Sequence, residues 1–430
     1  MPLKILATSD IHLGKSSTGA RDAGPETAVR HTWKRIVDTA ISGSVDIVAL
    51  AGDIVDRDDR YFEATGQLQA GFDKLKQAGI EVIMIAGNHD FDVTTDIMAE
   101  GRFDHVTLLG AKGTWEVTTR QKQNLTIQFI GWSFPSQHFM QDPSTAFDRS
   151  AIDPQYPVIG LLHADVGNSE SRYGPVDLAS LAALPVNAWI LGHVHKPTIF
   201  SQDPLIFYPG SPHALSAKEQ GPHGPLILTV DDTGKIKVTP LPLSPLRYET
   251  IMIDITGAES ETQLRAGVAS AINEKSEQLK NELEAVSYLI YDVTLTGTHT
   301  SIKEVEAWLA PLLETDVGET GRTRIQVRKL HYEIRPAVRD LHDLARQPSP
   351  AGRLAGAILA LEEGQSTPFI DTLLEQWTEM ARSTGSALVY QPLRNSAPSA
   401  VIKDDQDAKA YVLNECNRLL SELLAQQENN

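Results

Sequence analysis

At 430 residues and 41% hydrophobic content, the chain is an ordinary globular protein in composition, too long for one core and too apolar for disorder, so two or three domains are expected. Its formal charge of −18 counts against a protein that grips nucleic acid unaided, although net charge hides local patches and bound cations offset acidic ligands. The single cysteine, Cys416, excludes an internal disulfide framework and fits a reducing compartment.

The N-terminus, Met1-Pro2-Leu3-Lys4, runs directly into the first motif and leaves no room for a signal peptide. No apolar run reaches the roughly 18 residues that span a bilayer, so a cytoplasmic protein without membrane contact is expected. Residues 4–8 read as a strand, 26–42 as an amphipathic helix, 45–50 as a buried strand, 61–77 as a helix and 81–86 as a third strand. Further strands are expected at 114–118, 125–130, 158–162, 188–191, 205–208 and 225–230. Short apolar runs alternating with helices favour an α/β layered sheet with helices outside. The Pro-rich stretch 240–245 reads as a boundary. Beyond it, strands at 248–255, 287–295 and 322–334 alternate with helices near 260–285 and 301–313, a pattern for a smaller α+β domain. From residue 337 the chain reads as helical, with Ser349-Pro350 marking a helix start and 391–400 a linker. A last helix over 405–426 puts Val412, Leu413, Cys416, Leu419, Leu420, Leu423 and Leu424 on one face. That face is a candidate partner-docking element or an ordinary packing stripe. The expected division is 1–245, 246–336 and 337–430.

Five polar clusters stand at the mouths of apolar runs in the first region. They are Asp10-Ile11-His12, Gly52-Asp53, Gly87-Asn88-His89-Asp90, the lone His163, and Gly192-His193-Val194-His195. Each follows a strand-like stretch, so all can meet at one sheet edge and hold metal. One site would comprise Asp10, His12, Asp53 and His195, and the other Asp53, Asn88, His163 and His193, with Asp53 shared. Mixed oxygen and imidazole ligands without thiolates suit Mn²⁺, Fe²⁺ or Zn²⁺ rather than a structural zinc. Two ions about 4 Å apart suit phosphodiester hydrolysis, since they hold a bridging hydroxide and neutralise developing charge. His89 is left free to donate a proton or hydrogen bond to the leaving oxygen, and Asp90 is expected to stand behind the ligands and orient a histidine.

Singly, these motifs have bland readings: Gly-Asp is often a turn, and a lone histidine is often a core residue. The ordered set resembles the calcineurin-like metallophosphoesterase superfamily, which implies a four-layer αββα sandwich with metals at the strand ends. Ser9-Asp10-Ile11-His12-Leu13-Gly14 and Tyr208-Pro209-Gly210-Ser211 resemble the SbcD-type DNA-repair exonucleases. His163-Ala164-Asp165-Val166-Gly167 and Glu219-Gln220-Gly221-Pro222 with Gly224 resemble a YhaO-like subgroup. The resemblance is strong over residues 1 to 235. It implies a DNA substrate, two divalent ions (Mn²⁺ foremost), exonuclease action with endonuclease action as an option, a capping domain over 246–336, a homodimer, and an SbcC-like coiled-coil ATPase as partner.

Two other readings stay open: a phosphodiesterase or phosphatase for a non-DNA ester, and a non-catalytic metal-binding scaffold. Lys15, Arg57 and Arg60 are candidates for phosphate contact, with a solvated surface role as the default. Trp132 and His138 are candidates for the substrate channel, with core packing favoured for the tryptophan. Asp56 and Asp58 are candidates for supporting the ligands, with a charged loop as the default.

Overall fold

The computed structural model describes residues 2–17, 20–21, 24–56, 62–338, 340–386 and 405–428. Arg57, Asp58, Arg60 and the expected linker 391–400 lie outside the described residues. The chain divides into two compact units. One comprises Met1–Glu249, Gln278–Ile290 and Glu319–Gln326; the other comprises Thr250–Glu277, Tyr291–Gly318 and Val327–Asn430.

The first unit begins with strand β1 (Leu3–Thr8), helix α1 (Val29–Ser42), β2 (Ile47–Ala51), α2 (Phe62–Gln77), β3 (Glu81–Ile85), α3 (Val93–Ala99) and β4 (Val106–Leu108). It continues with β5 (Trp115–Lys122), β6 (Leu125–Trp132), β7 (Val158–His163), β8 (Asp165–Val166), β9 (Pro175–Val176) and α4 (Leu178–Ala182). Strands β10 (Ala188–Gly192), β11 (Thr198–Gln202), β12 (Leu205–Tyr208), β13 (Leu226–Val230) and β14 (Ile236–Pro240) follow. One six-stranded sheet has the order β14-β13-β1-β2-β3-β4, and a second has β11-β12-β10-β7-β6-β5.

The sheets pack face to face because their central strands are apolar on both sides. Ile5, Ala7, Ala49, Ala51, Ile83 and Ile85 from the first sheet share one buried core with Phe129, Ile159, Leu161, Ile190 and Phe207 from the second. The alternate residues Leu6, Val48, Leu50, Val82 and Met84 face the other way, onto Trp33, Ile36, Val37 and Ala40 of α1 and Leu68, Phe72 and Leu75 of α2. On the outer face of the second sheet, Trp132, Leu162, Trp189 and Tyr208 pack with Phe134, Ile152 and Leu181. Two apolar faces per strand explain the near-continuous apolar runs in the sequence. The αββα layering is present, but its fourth layer holds little helix beyond the five residues of α4. Trp132 belongs to that packing, 1% exposed. The helix expected from residue 26 starts instead at Val29, since Ala28 is extended (ψ 145°) after a 3-10 turn.

Strands β1 to β4 run parallel, as do β6, β7, β10 and β12. The carboxyl ends of β1, β2 and β3 therefore share one edge, and those of β7 and β10 share another. Outside carboxyl strand ends is where open α/β sheets place ligands.

Strands β15 (Leu246–Asp254), β16 (Tyr288–His299), β17 (Asp316–Thr320) and β18 (Thr323–Pro336) form a sheet in the order β15-β16-β18-β17. Helix α5 (Glu261–Leu279) buries Leu264, Val268 and Ile272 at four-residue spacing. Helices α6 (Ile302–Leu309), α7 (Leu341–Ala345), α8 (Pro350–Glu362), α9 (Pro368–Ser386) and α10 (Asp405–Glu428) complete the second unit. Ser349 caps α8 by accepting from the Gly352 N–H, with Pro350 in the first turn, as the sequence predicts. On α10, Val412, Cys416 and Leu420 are buried with Ala355, Ile358 and Leu361 of α8, so this stripe serves the unit's own core. Among the described residues, no helix is long and apolar enough to cross a membrane.

Candidate metal centre

The polar clusters converge because each follows the end of a parallel strand. Past β1, the Asp10 N–H donates to the Gly52 carbonyl at 3.0 Å and the His12 N–H to the Asp53 carbonyl at 3.0 Å, so two motif loops run side by side. His163 ends β7 and Gly192 ends β10, and these two residues are partners in register. The Ala164 N–H donates to the Gly192 carbonyl at 3.1 Å. Asp10, His12 and Asp53 all have φ of 51°, and His193 has φ of 103°. Non-glycine residues rarely adopt this backbone, and each costs about 1–3 kcal/mol, so the loops are bent hard to aim these side chains.

Gly192 is required by close approach. A Cβ there would lie 2.0 Å from the Ala51 carbonyl oxygen and 2.5 Å from His163 Nδ1. Gly192→Ala is therefore expected to destabilise the fold by about 1–3 kcal/mol and to disturb His163. Urea unfolding reads this directly, and an unchanged midpoint would remove close approach as the reason for glycine.

The side chains fall into overlapping groups whose ligand atoms lie within 4.8 Å of one another: Asp10, His12 and His195; Asp10, Asp53 and His163; His12, Asp56 and His89. Asp53 Oδ2 is central, 3.4 Å from His163 Nε2, 3.9 Å from His12 Nε2 and 4.0 Å from His89 Nε2. Asn88 Oδ1 lies 3.1 Å from His163 Nε2. His193 enters chiefly through its backbone, whose N–H donates to Asp10 at 3.1 Å, while its ring lies against His163 and Tyr173.

The tautomers of three histidines show that this donor set fits a cation. His12 Nδ1 lies 3.1 Å from an Asp56 carboxylate oxygen, and His195 Nδ1 lies 3.2 Å from one of Glu219. Ionised carboxylates only accept, so each Nδ1 faces them as the donor and each ring turns its Nε2 toward the centre. Those two Nε2 atoms are 3.1 Å apart. His163 Nδ1 likewise faces the Ala51 carbonyl at 3.0 Å, turning its Nε2 toward the Asn88 and Asp53 oxygens. Lone pairs converging on lone pairs are stable only with protons or metal ions between them. Imidazole, carboxylate and amide donors without thiolate match divalent transition metals.

Burial and mutual charge perturb the same groups. Burial opposes charge on Asp53, but His163, with His12 and His89 behind it, holds the carboxyl far below the usual range. At His163 burial pushes downward, yet Asp53 and Asp10 raise the imidazole to about 9. Burial, reinforced by the His163 charge, lowers His193 to about 4. Burial also lowers His89.

His89 stands apart from the group around Asp10. Its side chain is 33% exposed, and its Nδ1 has no hydrogen-bond partner among the described residues. Its backbone N–H donates to Asp53 Oδ1 at 2.8 Å.

Asp90 accepts from the Ile54 N–H at 2.6 Å and the Gly87 N–H at 2.8 Å, so it ties two motif loops together. Burial and then the Asp53 charge push its carboxyl up to about 7, against those amides. A carboxylate that does meet a histidine is Asp56, 4% exposed and bonded to His12, where a charged loop was the default reading. The sequence hint was its place three residues after Asp53. Lys15 Nζ lies 3.6 Å from Asp56, and His138 is exposed beside Tyr173. Tyr208 donates to the Ala164 carbonyl at 2.6 Å and accepts from the Val166 N–H at 3.0 Å, which fixes the turn after His163.

Residues 3–197 match the family described as calcineurin-like phosphoesterase. The chain is 28% identical over 240 residues to the uncharacterized metallophosphoesterase YhaO of Bacillus subtilis, covering 55% of this chain and 57% of that protein. It is 22% identical over 287 residues to the DNA double-strand break repair protein Mre11 of Methanopyrus kandleri, covering 62% of each. It is 25% identical over 273 residues to the SbcD component of the nuclease SbcCD of Escherichia coli, covering 55% of this chain and 66% of that protein. The matched region thus spans between 57% and 66% of these relatives' lengths. Over residues 3–197, this chain carries a calcineurin-like metallophosphoesterase domain.

Proposed function

We propose that the chain is a metal-dependent DNA nuclease of the SbcD type, acting as an exonuclease with endonuclease action as an option. In this reading Asp10, His12, Asp53 and His195 hold one divalent ion, and Asp53, Asn88, His163 and His193 hold a second, with Mn²⁺ as the physiological choice. Bound ions supply a nucleophilic water at neutral pH and offset charge on the phosphoryl oxygens. Asp53 keeps the two sites together, Asp56 fixes the His12 tautomer, and His89 delivers a proton to the leaving oxygen.

The observation that carries the phosphoesterase reading is the convergence of the Nε2 atoms of His12, His195 and His163 upon the Asp10 and Asp53 carboxylates. The DNA substrate is supported by relatives named for nuclease action and for double-strand break repair. Residues 246–336 would act as a capping region that guides DNA. Residues 337–430 would dock an SbcC-like coiled-coil ATPase through surfaces other than the buried stripe of α10. The working form would be a cytoplasmic homodimer.

The test is purified protein with Mn²⁺ on end-labelled linear and circular DNA, with and without a coexpressed ATPase, beside bis-p-nitrophenyl phosphate. Mn²⁺-dependent shortening of linear DNA is expected. Turnover of the small ester with DNA intact under varied metals, ends and partners would move the assignment to a non-DNA phosphodiesterase. Stoichiometric metal without turnover of either would make it a scaffold.

A further inference from the structure

Two sequence segments remain without a chemical role, Tyr208-Pro209-Gly210-Ser211 and Glu219-Gln220-Gly221-Pro222. They meet around His195. The Ser211 N–H donates to the His195 carbonyl at 2.9 Å. At the other end of the same residue, His195 Nδ1 donates to Glu219 Oε1 at 3.2 Å. The loop closes through Ser211 Oγ, which donates to Glu219 Oε2 at 2.7 Å. Glu219 Oε2 also accepts from the Leu215 N–H at 3.0 Å, and the residue is 8% exposed. Gly210 permits the approach, since a Cβ there would lie 2.6 Å from the His195 carbonyl oxygen.

We infer that Ser211 and Glu219 form a clasp that positions His195 as a metal ligand, holding its backbone from one segment and its ring from the other. This rests on the reading of His195 as a ligand. Glu219 divides its work between its two oxygens. Oε2 secures the 211–215 turn, which a purely structural carboxylate would also do. Oε1, which also accepts from Ser216 Oγ at 3.3 Å, faces His195 and fixes the proton on Nδ1, which leaves Nε2 free to coordinate. An acceptor on both sides is needed, and a carboxylate supplies it.

Glu219→Gln separates the two roles. With its oxygen toward His195, the amide NH₂ opposes the Leu215 N–H. Turned the other way, the NH₂ faces His195 Nδ1 and favours the Nε2–H tautomer, which cannot bind metal. The experiment is Mn²⁺ titration of the full chain by calorimetry, with the electron paramagnetic resonance spectrum of the bound ions as second readout. Glu219→Gln is expected to weaken one of two Mn²⁺ ions by about 10- to 100-fold, the usual cost of losing a ligand's supporting partner. In a His195→Ala background, the same substitution should cost nothing further. Ser211→Ala, the milder variant if Glu219→Gln does not fold, should show the same non-additivity. Wild-type Mn²⁺ affinity in a folded Glu219→Gln protein would overturn the clasp. A full-sized loss on top of His195→Ala would do so too, by marking Glu219 as scaffolding. A wild-type chain that binds no Mn²⁺ would instead overturn the metal reading and the clasp together.

Discussion

Asp53→Asn is expected to reduce Mn²⁺-dependent phosphodiester hydrolysis by roughly 10³-fold or more, on the order of 4 kcal/mol in the barrier, while the protein stays folded. Two features make the loss large. Asp53 Oδ2 lies between 3.4 and 4.0 Å from His163, His12 and His89, so this one carboxylate oxygen reaches three of the centre's imidazoles. It is also 2% exposed, where a charge has no competition from water. Two further features keep the fold intact. Asn Oδ1 can still accept from the His89 N–H, which Asp53 holds at 2.8 Å. Asparagine also tolerates the φ of 51° at least as readily as aspartate does. Calorimetric Mn²⁺ titration beside a rate assay checks the prediction. Two tightly bound ions and activity within tenfold of wild type would remove Asp53 from the bridging position.

The position of the centre was legible in the sequence for a physical reason. Strands buried on both faces must be apolar throughout, so each one ends abruptly where the polar residues begin. Asp10, Asp53, Asn88, His163 and His193 all sit at such ends, and parallel pairing then gathers them without any long-range information. What pairs with the ligands was much less legible. Asp56 belongs to a charged run, and its partner His12 lies 44 positions away. Glu219 reaches His195 across 24 positions, and no periodicity encodes that contact. Nor did the sequence show that Asp90 would accept from the backbone amides of Ile54 and Gly87, which the bent loops leave in need of partners.

The same logic explains which elements were missed. Strand β11 is an edge strand with little buried surface, so its hydrophobic signal is weak. Helix α4 has five residues, too few for a 3.6-residue period to register. The left-handed backbone of Asp10, His12, Asp53 and His193 left no mark either, since these residue types were chosen for their ligand atoms. Strain of about 1–3 kcal/mol per site, gathered at four candidate ligands, is what a preorganised centre looks like before its ions are considered.

His89→Gln should separate chemistry from coordination. Its side chain is 33% exposed and its Nδ1, 3.9 Å from Asp56, makes no hydrogen bond among the described residues, so replacement by an amide should change stability by only about 1 kcal/mol. The proposed ligand set excludes His89, so two Mn²⁺ ions should still bind. The rate on DNA is then expected to fall by about 10²- to 10⁴-fold, the range for losing a general acid. The leaving group decides whether proton donation is the cause. A sugar alkoxide is a strong base and departs poorly unless protonated, whereas p-nitrophenolate departs unaided. Proton donation by His89 therefore predicts a large loss on DNA and a small one on bis-p-nitrophenyl phosphate. If His89 instead stabilised charge on the phosphoryl oxygens, both substrates would suffer alike, because both develop that charge. Equal losses on the two esters, or a missing metal ion, would take the role of acid away from His89.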